Sequence, residues 1–435
     1  MDVEQFICQH IVRALGSGLV PARGLGRIAV GREEELKHLR ADLEFSQKGG
    51  AWVRCLSGDY GVGKTFFCSL VREEAWHRGF VVAAVDLGRD APLHRFDVIY
   101  HRIMNAMRTV YFREVPAFEF ILQEWLFNLE QGVQRLGGLN PLTPAQRGEL
   151  SAAIARRIDE QLAKLRIYDR SFVNALHAYY EASRQGNEAT ATTAVGWLKG
   201  DVNLPADVRQ ELQLRERFDN DKAFNFLRAV VALVVHIGYA GLIVVFDESE
   251  SIRSISRPDS RNAAYENICY LMDRTAHGEF AHCGFLLAGT EDLYNDAVRG
   301  VASYQALYER LKPDWDRPSP KDSRHPLMQL VGFDRDKLHE VALRVRQVHG
   351  VAYGWDAIGR LPDDMLKRLT EQTAVQFGGQ FITAPRGFLK GLVDILDALH
   401  RSPPSLAGEI LAAGIDSDCV EAVEREETHL NDQLG

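Results

Sequence analysis

Gly58-Asp59-Tyr60-Gly61-Val62-Gly63-Lys64-Thr65 is the stretch on which the reading of the whole chain turns. It satisfies G-x-x-x-x-G-K-[ST], the phosphate-cradling P-loop. Gly58, Gly61 and Gly63 permit backbone conformations closed to other residues, so successive N–H groups turn inward toward phosphate oxygens. The helix opening near Lys64 adds its positive end. In this reading Lys64 neutralises the β- and γ-phosphates of a nucleoside triphosphate and the Thr65 hydroxyl ligates Mg²⁺. The flanks agree. Residues 52–57 read as a short strand, with Arg54 untidy in its middle. Residues 65–77 read as a helix with Phe67, Leu70, Val71 and Trp76 on one face, ended by Gly79. A glycine-rich turn carrying a surface lysine is the bland alternative, and the strand–loop–helix context speaks against it.

Working outward, residues 80–87, 242–246 and 284–288 are apolar strands, and helices are expected near 224–236 and 263–275. Strands with apolar residues on both faces, alternating with helices, predict a doubly wound, three-layer α/β core around a parallel sheet. Ligand chemistry in such sheets sits at the carboxyl ends of the strands. The 242–246 strand, expected beside the P-loop strand, ends in Asp247-Glu248. Asp247 would hold Mg²⁺ through water, and Glu248 would orient and polarise the attacking water. The alternative is that the pair marks where a buried strand meets solvent. Thr290 follows the next strand and would sense the γ-phosphate or position water; capping a helix over 291–295 is its plainer role. An arginine reaching across a subunit boundary would stabilise the transferring phosphoryl group, and Arg310 is the first candidate, Arg261 the second. Arg386 lies in the first turn of a helix, where the dipole disfavours it, which points to a ligand.

The 435-residue chain as a whole sets bounds. With 51 basic and 60 acidic residues the formal charge is −9; 46% of residues are hydrophobic and 26% charged. That composition excludes wholesale disorder, a collagen-like repeat and a disulfide-stapled scaffold. Eight acids and one base fall after Ser405, so the tail carries −7 and the body only −2, with no basic bias announcing nucleic acid. The tail reads as a solvated helix or frayed end, with an interaction tail as the sharper reading. Cys8, Cys55, Cys68, Cys269, Cys283 and Cys419 are scattered without zinc spacing, and no secretory leader pattern is seen, so a reducing cytoplasm fits. Residues 229–246 carry no formal charge over 18 positions, yet His236, Gly238 and Gly241 interrupt them, so helix then strand is expected rather than a membrane span. The expected organisation is an N-terminal helix and flanking segment (1–50), an α/β core (51–320) with a helical insertion at about 112–220, a small all-helical unit (321–404) and the acidic tail (405–435). No catalytic constellation stands out in the insertion, and it reads as an added or partner-facing layer.

The chain resembles the AAA+ branch of P-loop ATPases and, more narrowly, the D-component ATP-binding proteins of bacteriophage-exclusion (BREX) defence systems. The resemblance rests on Gly16-Ser17-Gly18-Leu19-Val20-Pro21-Ala22-Arg23-Gly24-Leu25, Val30-Gly31-Arg32-Glu33, the P-loop continued by Phe66-Phe67, Trp197-Leu198-Lys199-Gly200, Ala264-Tyr265-Glu266-Asn267, Ala288-Gly289-Thr290 and Pro385-Arg386. It implies an AAA+ type three-layer P-loop core with a helical lid, and binding of ATP and Mg²⁺. It puts Gly31 and Arg32 in the segment lining the adenine pocket and extends the nucleotide-binding set to Phe66. Thr290 matches the sensor-1 position, where Asn is commoner, Arg310 the arginine-finger region and Arg386 the sensor-2 arginine of the lid. It also implies nucleotide-dependent self-association, a helicase partner, and a role in blocking phage DNA.

Two other readings follow. One is an ATP-binding scaffold or slow switch, motivated by the insertion and the acidic tail. The other is a replication-initiator-like, DNA-binding ATPase. Only about 31 residues follow Pro404, too few for the winged helix such initiators carry.

Overall fold

Runs of Val, Ile, Leu and Phe with almost no polar interruption build the centre of the molecule. They form β1 (Ala51–Ser57), β2 (Val81–Asp86), the short β3 (Met107–Arg108), β4 (Leu242–Asp247), β5 (Cys283–Gly289) and β6 (Leu327–Gln329). The computed structural model describes residues 2–137, 144–163, 165–201, 204, 218–311, 325–376, 385–406, 408, 409 and 411. Cys419 and nearly all of the acidic tail lie outside the described residues.

Among the described residues the six strands form one sheet in the order β3-β2-β4-β5-β1-β6. Every pairing is parallel except β2 with β3. The acidic strand was expected next to the P-loop strand; instead β5 lies between them. All seven β5 residues are buried, so both of its edges need backbone partners, and β1 and β4 supply them. The tips of β1 and β4 therefore face each other across the end of β5.

Alternate residues serve opposite faces of the sheet, as the two-residue period of a strand requires. Val81, Ala83, Val244, Phe246, Phe285 and Leu287 pack under helices Phe96–Ala106, Asn220–Ile237 and Pro258–Ala276. Val82, Ile243, Val245, Leu286 and Ala288 pack against helices Glu33–Gln47 and Lys64–His77. This is the expected three-layer α/β core.

The uncharged 229–246 stretch divides as expected. Helix Asn220–Ile237 ends at Gly238, which has φ 116°, and β4 begins at Leu242. Gly241 at φ 144° is obligatory, because a Cβ there would meet the His282 carbonyl oxygen at 1.9 Å. No helix among the described residues is long and apolar enough to cross a membrane. Arg54 also finds its reason. Its guanidinium is buried and grips Asp42 of the Glu33–Gln47 helix with two bonds, Nε to Oδ2 at 2.7 Å and an Nη to Oδ1 at 3.0 Å.

The insertion contains helices Phe118–Gly137, Pro144–Ala163, Arg170–Gln185 and Glu188–Leu198. Its inner face is aromatic: Phe172 and Trp197 meet Phe226 edge-on. The Trp197–Gly200 segment docks on the Phe96–Ala106 helix, with the Tyr100 hydroxyl donating to the Leu198 carbonyl. Gly200, at φ 77°, lets the chain pass against the Tyr100 and Phe218 rings.

A separate apolar core holds helices Arg335–Tyr353, Asp363–Gln376 and Pro385–Arg401 together through Leu338, Val345, Leu366, Phe388 and Leu396. The N-terminal helix Val3–Gly16 belongs to this core as well, contributing Cys8, Ile11, Val12 and Leu15. The helical unit is thus built from both ends of the described chain.

Candidate functional site

The loop 58–63 crosses from β1 to the Lys64–His77 helix. Gly61 has φ 75° and Gly63 φ 96°, left-handed conformations that glycine adopts without strain. A Cβ on Gly58 would stand 2.8 Å from Val62 Cγ2 and 3.0 Å from the Leu330 carbonyl oxygen. A larger residue at Gly58 would therefore press the loop against Val62 and the Leu330 backbone. Lys64 is 9% exposed, and its Nζ donates to the Gly58 and Asp59 carbonyls at 3.0 and 3.1 Å, 5.2 Å from the centre of the Tyr60 ring. Tyr60 itself is exposed, and Phe66 packs partly buried against the core of the helical unit.

Across β5, the Thr65 hydroxyl lies close enough to the Asp247 carboxylate to favour its ionised form. Burial raises the pKa of Asp247, and the nearby Thr65 hydroxyl and the Glu248 amide, 3.0 Å from Oδ1, oppose that rise. Thr65 lies in the first turn of the Lys64–His77 helix and Asp247 ends β4, and together they offer the hard oxygen donors that Mg²⁺ prefers. The donor set therefore fits that ion.

Glu248 adopts φ 54°, rare for a residue with a side chain, and turns out of β4 ahead of the short helix Ser249–Ser254. Such strain persists where the surroundings over-determine it, often at functional sites. Glu248 keeps an open face to solvent. Its pKa is nevertheless pushed up to about 7, first by lost hydration against the protein, then by the charges of Glu250 and Asp247. Water at the open face screens part of that repulsion.

Two residues missed in the sequence belong here. Glu250 is 8% exposed, neither carboxylate oxygen has a well-formed hydrogen bond, and burial raises its pKa. Asp86 ends β2 in register with Asp247 and adds to the negative potential around both Asp247 and Glu248. The signal for Asp86 was present, an acid closing an apolar strand. Nothing in the pattern set Glu250 apart from its two acidic neighbours.

The other expected residues are placed as follows. Thr290 follows β5, whose Gly289 is in register with Ser57, so it stands beside the start of the P-loop. Its hydroxyl makes no capping bond to the Glu291–Asn295 helix and is buried without a hydrogen-bond partner among the described residues. Gly31, at φ 64°, lies under the Lys337 side chain. Arg32 is buried, donating to the Val62 and Val331 carbonyls at 2.6 and 2.9 Å. Arg386 donates from Nε to the Gly18 carbonyl at 2.5 Å. Arg310 is exposed and forms a two-bond ion pair with Asp273, at 3.0 and 2.9 Å. Arg261 is buried and donates to the Ile255 carbonyl at 2.8 Å. Lys64, Thr65, Asp247, Glu248 and Thr290 are thus assembled at one end of the sheet, while Arg310, Arg261 and Arg386 are engaged with protein groups elsewhere.

A parallel sheet ordered β2-β4-β5-β1-β6, a glycine cradle after β1 and a carboxylate pair after β4 define an AAA+ type P-loop nucleotide-binding protein. The chain belongs to the family of BREX system ATP-binding proteins BrxC/D, whose family profile matches residues 3–412. Among solved structures, the ORC2 protein of Aeropyrum pernix, determined in ADPNP–ADP complexes, is similar at 14% identity with a TM-score of 0.38. That alignment covers 88% of this chain and 68% of the ORC2 chain. No curated protein matched the sequence.

Proposed function

We propose that the protein is a Mg²⁺-dependent ATPase of BREX anti-phage defence. The observation that carries this reading is the placement of the Thr65 hydroxyl, beside the P-loop, close to the strand-end carboxylate of Asp247, with Glu248 directly following. The P-loop amides and Lys64 hold the triphosphate. When bound, Mg²⁺ neutralises charge on the β- and γ-phosphate oxygens. Glu248, at the open mouth of the site, orients the attacking water and takes its proton; a base with pKa near 7 is well matched to that task. The buried Thr290 hydroxyl reports on the terminal phosphate.

Arg310 is the arginine we assign to a neighbouring subunit's site, because it is surface-exposed whereas Arg261 is buried on its own backbone. Reaching a neighbour requires Arg310 to leave Asp273, an exposed pair whose loss costs about 0–1 kcal/mol. In this reading Arg386 reaches the nucleotide from the helical unit, assembly is nucleotide-dependent, and turnover is coupled to a helicase partner, to DNA, or to both. The Arg310–Asp273 pair also favours a second reading, in which the isolated chain is a slow switch until assembly frees the arginine.

Steady-state phosphate release by wild type, Lys64→Ala and Glu248→Gln tests the proposal. Loss of turnover in both variants is expected, with nucleotide binding retained in Glu248→Gln. Wild-type rates in both variants would overturn it.

A further inference from the structure

Arg32 stands where three separated stretches of chain meet. One guanidinium nitrogen donates to the Val62 carbonyl inside the P-loop at 2.6 Å, and another to the Val331 carbonyl at 2.9 Å. The guanidinium also lies 5.2 Å from the centre of the Phe333 ring. The residue is 3% exposed, so water does not substitute for these contacts.

The 330–333 strap is tied to the loop in two further places. The Leu330 amide donates to the Ser57 carbonyl at 2.7 Å, and the Leu330 carbonyl fills the space beside Gly58. Phe333 belongs to the core of the helical unit. Asp334 immediately caps the Arg335–Tyr353 helix, its side chain accepting from the Lys337 amide at 2.8 Å. Lys337 in turn lies across Gly31. A continuous set of contacts therefore runs from the phosphate loop, through one guanidinium, to the Arg335–Tyr353 helix of the unit. A planar guanidinium holds two carbonyls in fixed geometry; an ammonium group does not.

We propose that Arg32 is a positioning residue that joins the phosphate loop to the strap of the helical unit, so that nucleotide ordering the loop also orders that unit. This differs from a contact between Arg32 and the base. It rests on the ATP site proposed above.

The test uses the full chain and follows hydrogen exchange in the Pro385–Arg401 helix, with and without a non-hydrolysable ATP analogue and Mg²⁺. Affinities for the ATP and GTP analogues are measured in parallel. Wild type is expected to gain protection in that helix. Arg32→Lys is expected to bind about tenfold more weakly, with an unchanged ATP-to-GTP ratio, and to gain no protection even at saturation. Phe333→Leu, which keeps Arg32, is expected to lose at least about half of the protection and decides the matter should Arg32→Lys not fold. Full protection in saturated Arg32→Lys, no protection in wild type, or a collapsed ATP-to-GTP ratio with protection intact would overturn the inference. Lys64→Ala separates the two claims. If it binds nucleotide like wild type, the ATP-site reading fails. If it does not bind while Arg32→Lys behaves as wild type, only the role of Arg32 fails.

Discussion

Replacing Gly58 by alanine isolates what the cradle does. A Cβ at this position meets Val62 Cγ2 at 2.8 Å and the Leu330 carbonyl oxygen at 3.0 Å. Val62 is a buried, β-branched core residue with little freedom to rotate, and the carbonyl is backbone held in place by the Leu330–Ser57 bond of 2.7 Å. The loop has to yield by a few tenths of an ångström, an overpacking strain of about 1–3 kcal/mol. The amides aimed at phosphate shift with it. A hydrogen bond to a charged group contributes about 1.5–3 kcal/mol, so displacing one weakens binding roughly 10- to 100-fold. Gly79 provides the contrast, since it has φ 79° with nothing near its Cβ position. Gly79→Ala is expected to cost ~1–2 kcal/mol of stability through backbone strain and nothing in nucleotide affinity. Calorimetric titration with ADP and Mg²⁺, alongside urea unfolding of both variants, measures the two effects separately. Gly58→Ala binding within twofold of wild type would refute the closed-cradle reasoning.

Three further outcomes follow from the site and its surroundings. Glu248→Gln is expected to lower turnover at least about 10²-fold while still binding nucleotide; in wild type the rate falls as pH drops below about 7, because a base with its pKa raised to that value is protonated there. A flat rate between pH 6 and 8 would contradict the assignment. Glu250 has a folded-state pKa above its ordinary value, so the folded chain binds the proton more tightly and loses stability as pH rises through the window between the two values. Glu250→Gln should therefore unfold at higher urea than wild type at pH 8, by ~1–3 kcal/mol, with the gain vanishing near pH 4; an equal gain at both pH values would rule this out. Arg54→Ala strands Asp42 and should cost about 3–5 kcal/mol, with nucleotide affinity unchanged, whereas Arg54→Met with Asp42→Leu recovers most of the loss. A cost under about 1 kcal/mol by urea unfolding would show the pair to be dispensable.

The core was legible because its signals are local. A P-loop is a contiguous string, and β4 and β5 are short apolar runs, the first closing on Asp247 and the second followed directly by Thr290. Strand order is not local, and β5 between β1 and β4 followed only from the need to pair both of its edges. Arg54 looked misplaced in its strand because Asp42, its partner, lies on the preceding helix. The N-terminal helix gave no sign that its apolar face belongs with residues 338–399, since that packing joins chain segments more than 300 residues apart. Glu250 reads as one more acid in Asp247-Glu248-Ser249-Glu250, and only burial distinguishes it. The arginines were hardest to place, because a guanidinium's reach of several ångströms leaves its partner unspecified by sequence position.

The central claim is that one triphosphate site is formed by the loop after β1 and the carboxylates after β4. Isothermal titration of ATP with Mg²⁺ into wild type and Lys64→Ala tests it most directly. The account predicts one site per chain in wild type and none measurable in Lys64→Ala. Absence of binding to a folded wild-type chain, or equal affinity in the two proteins, would contradict it.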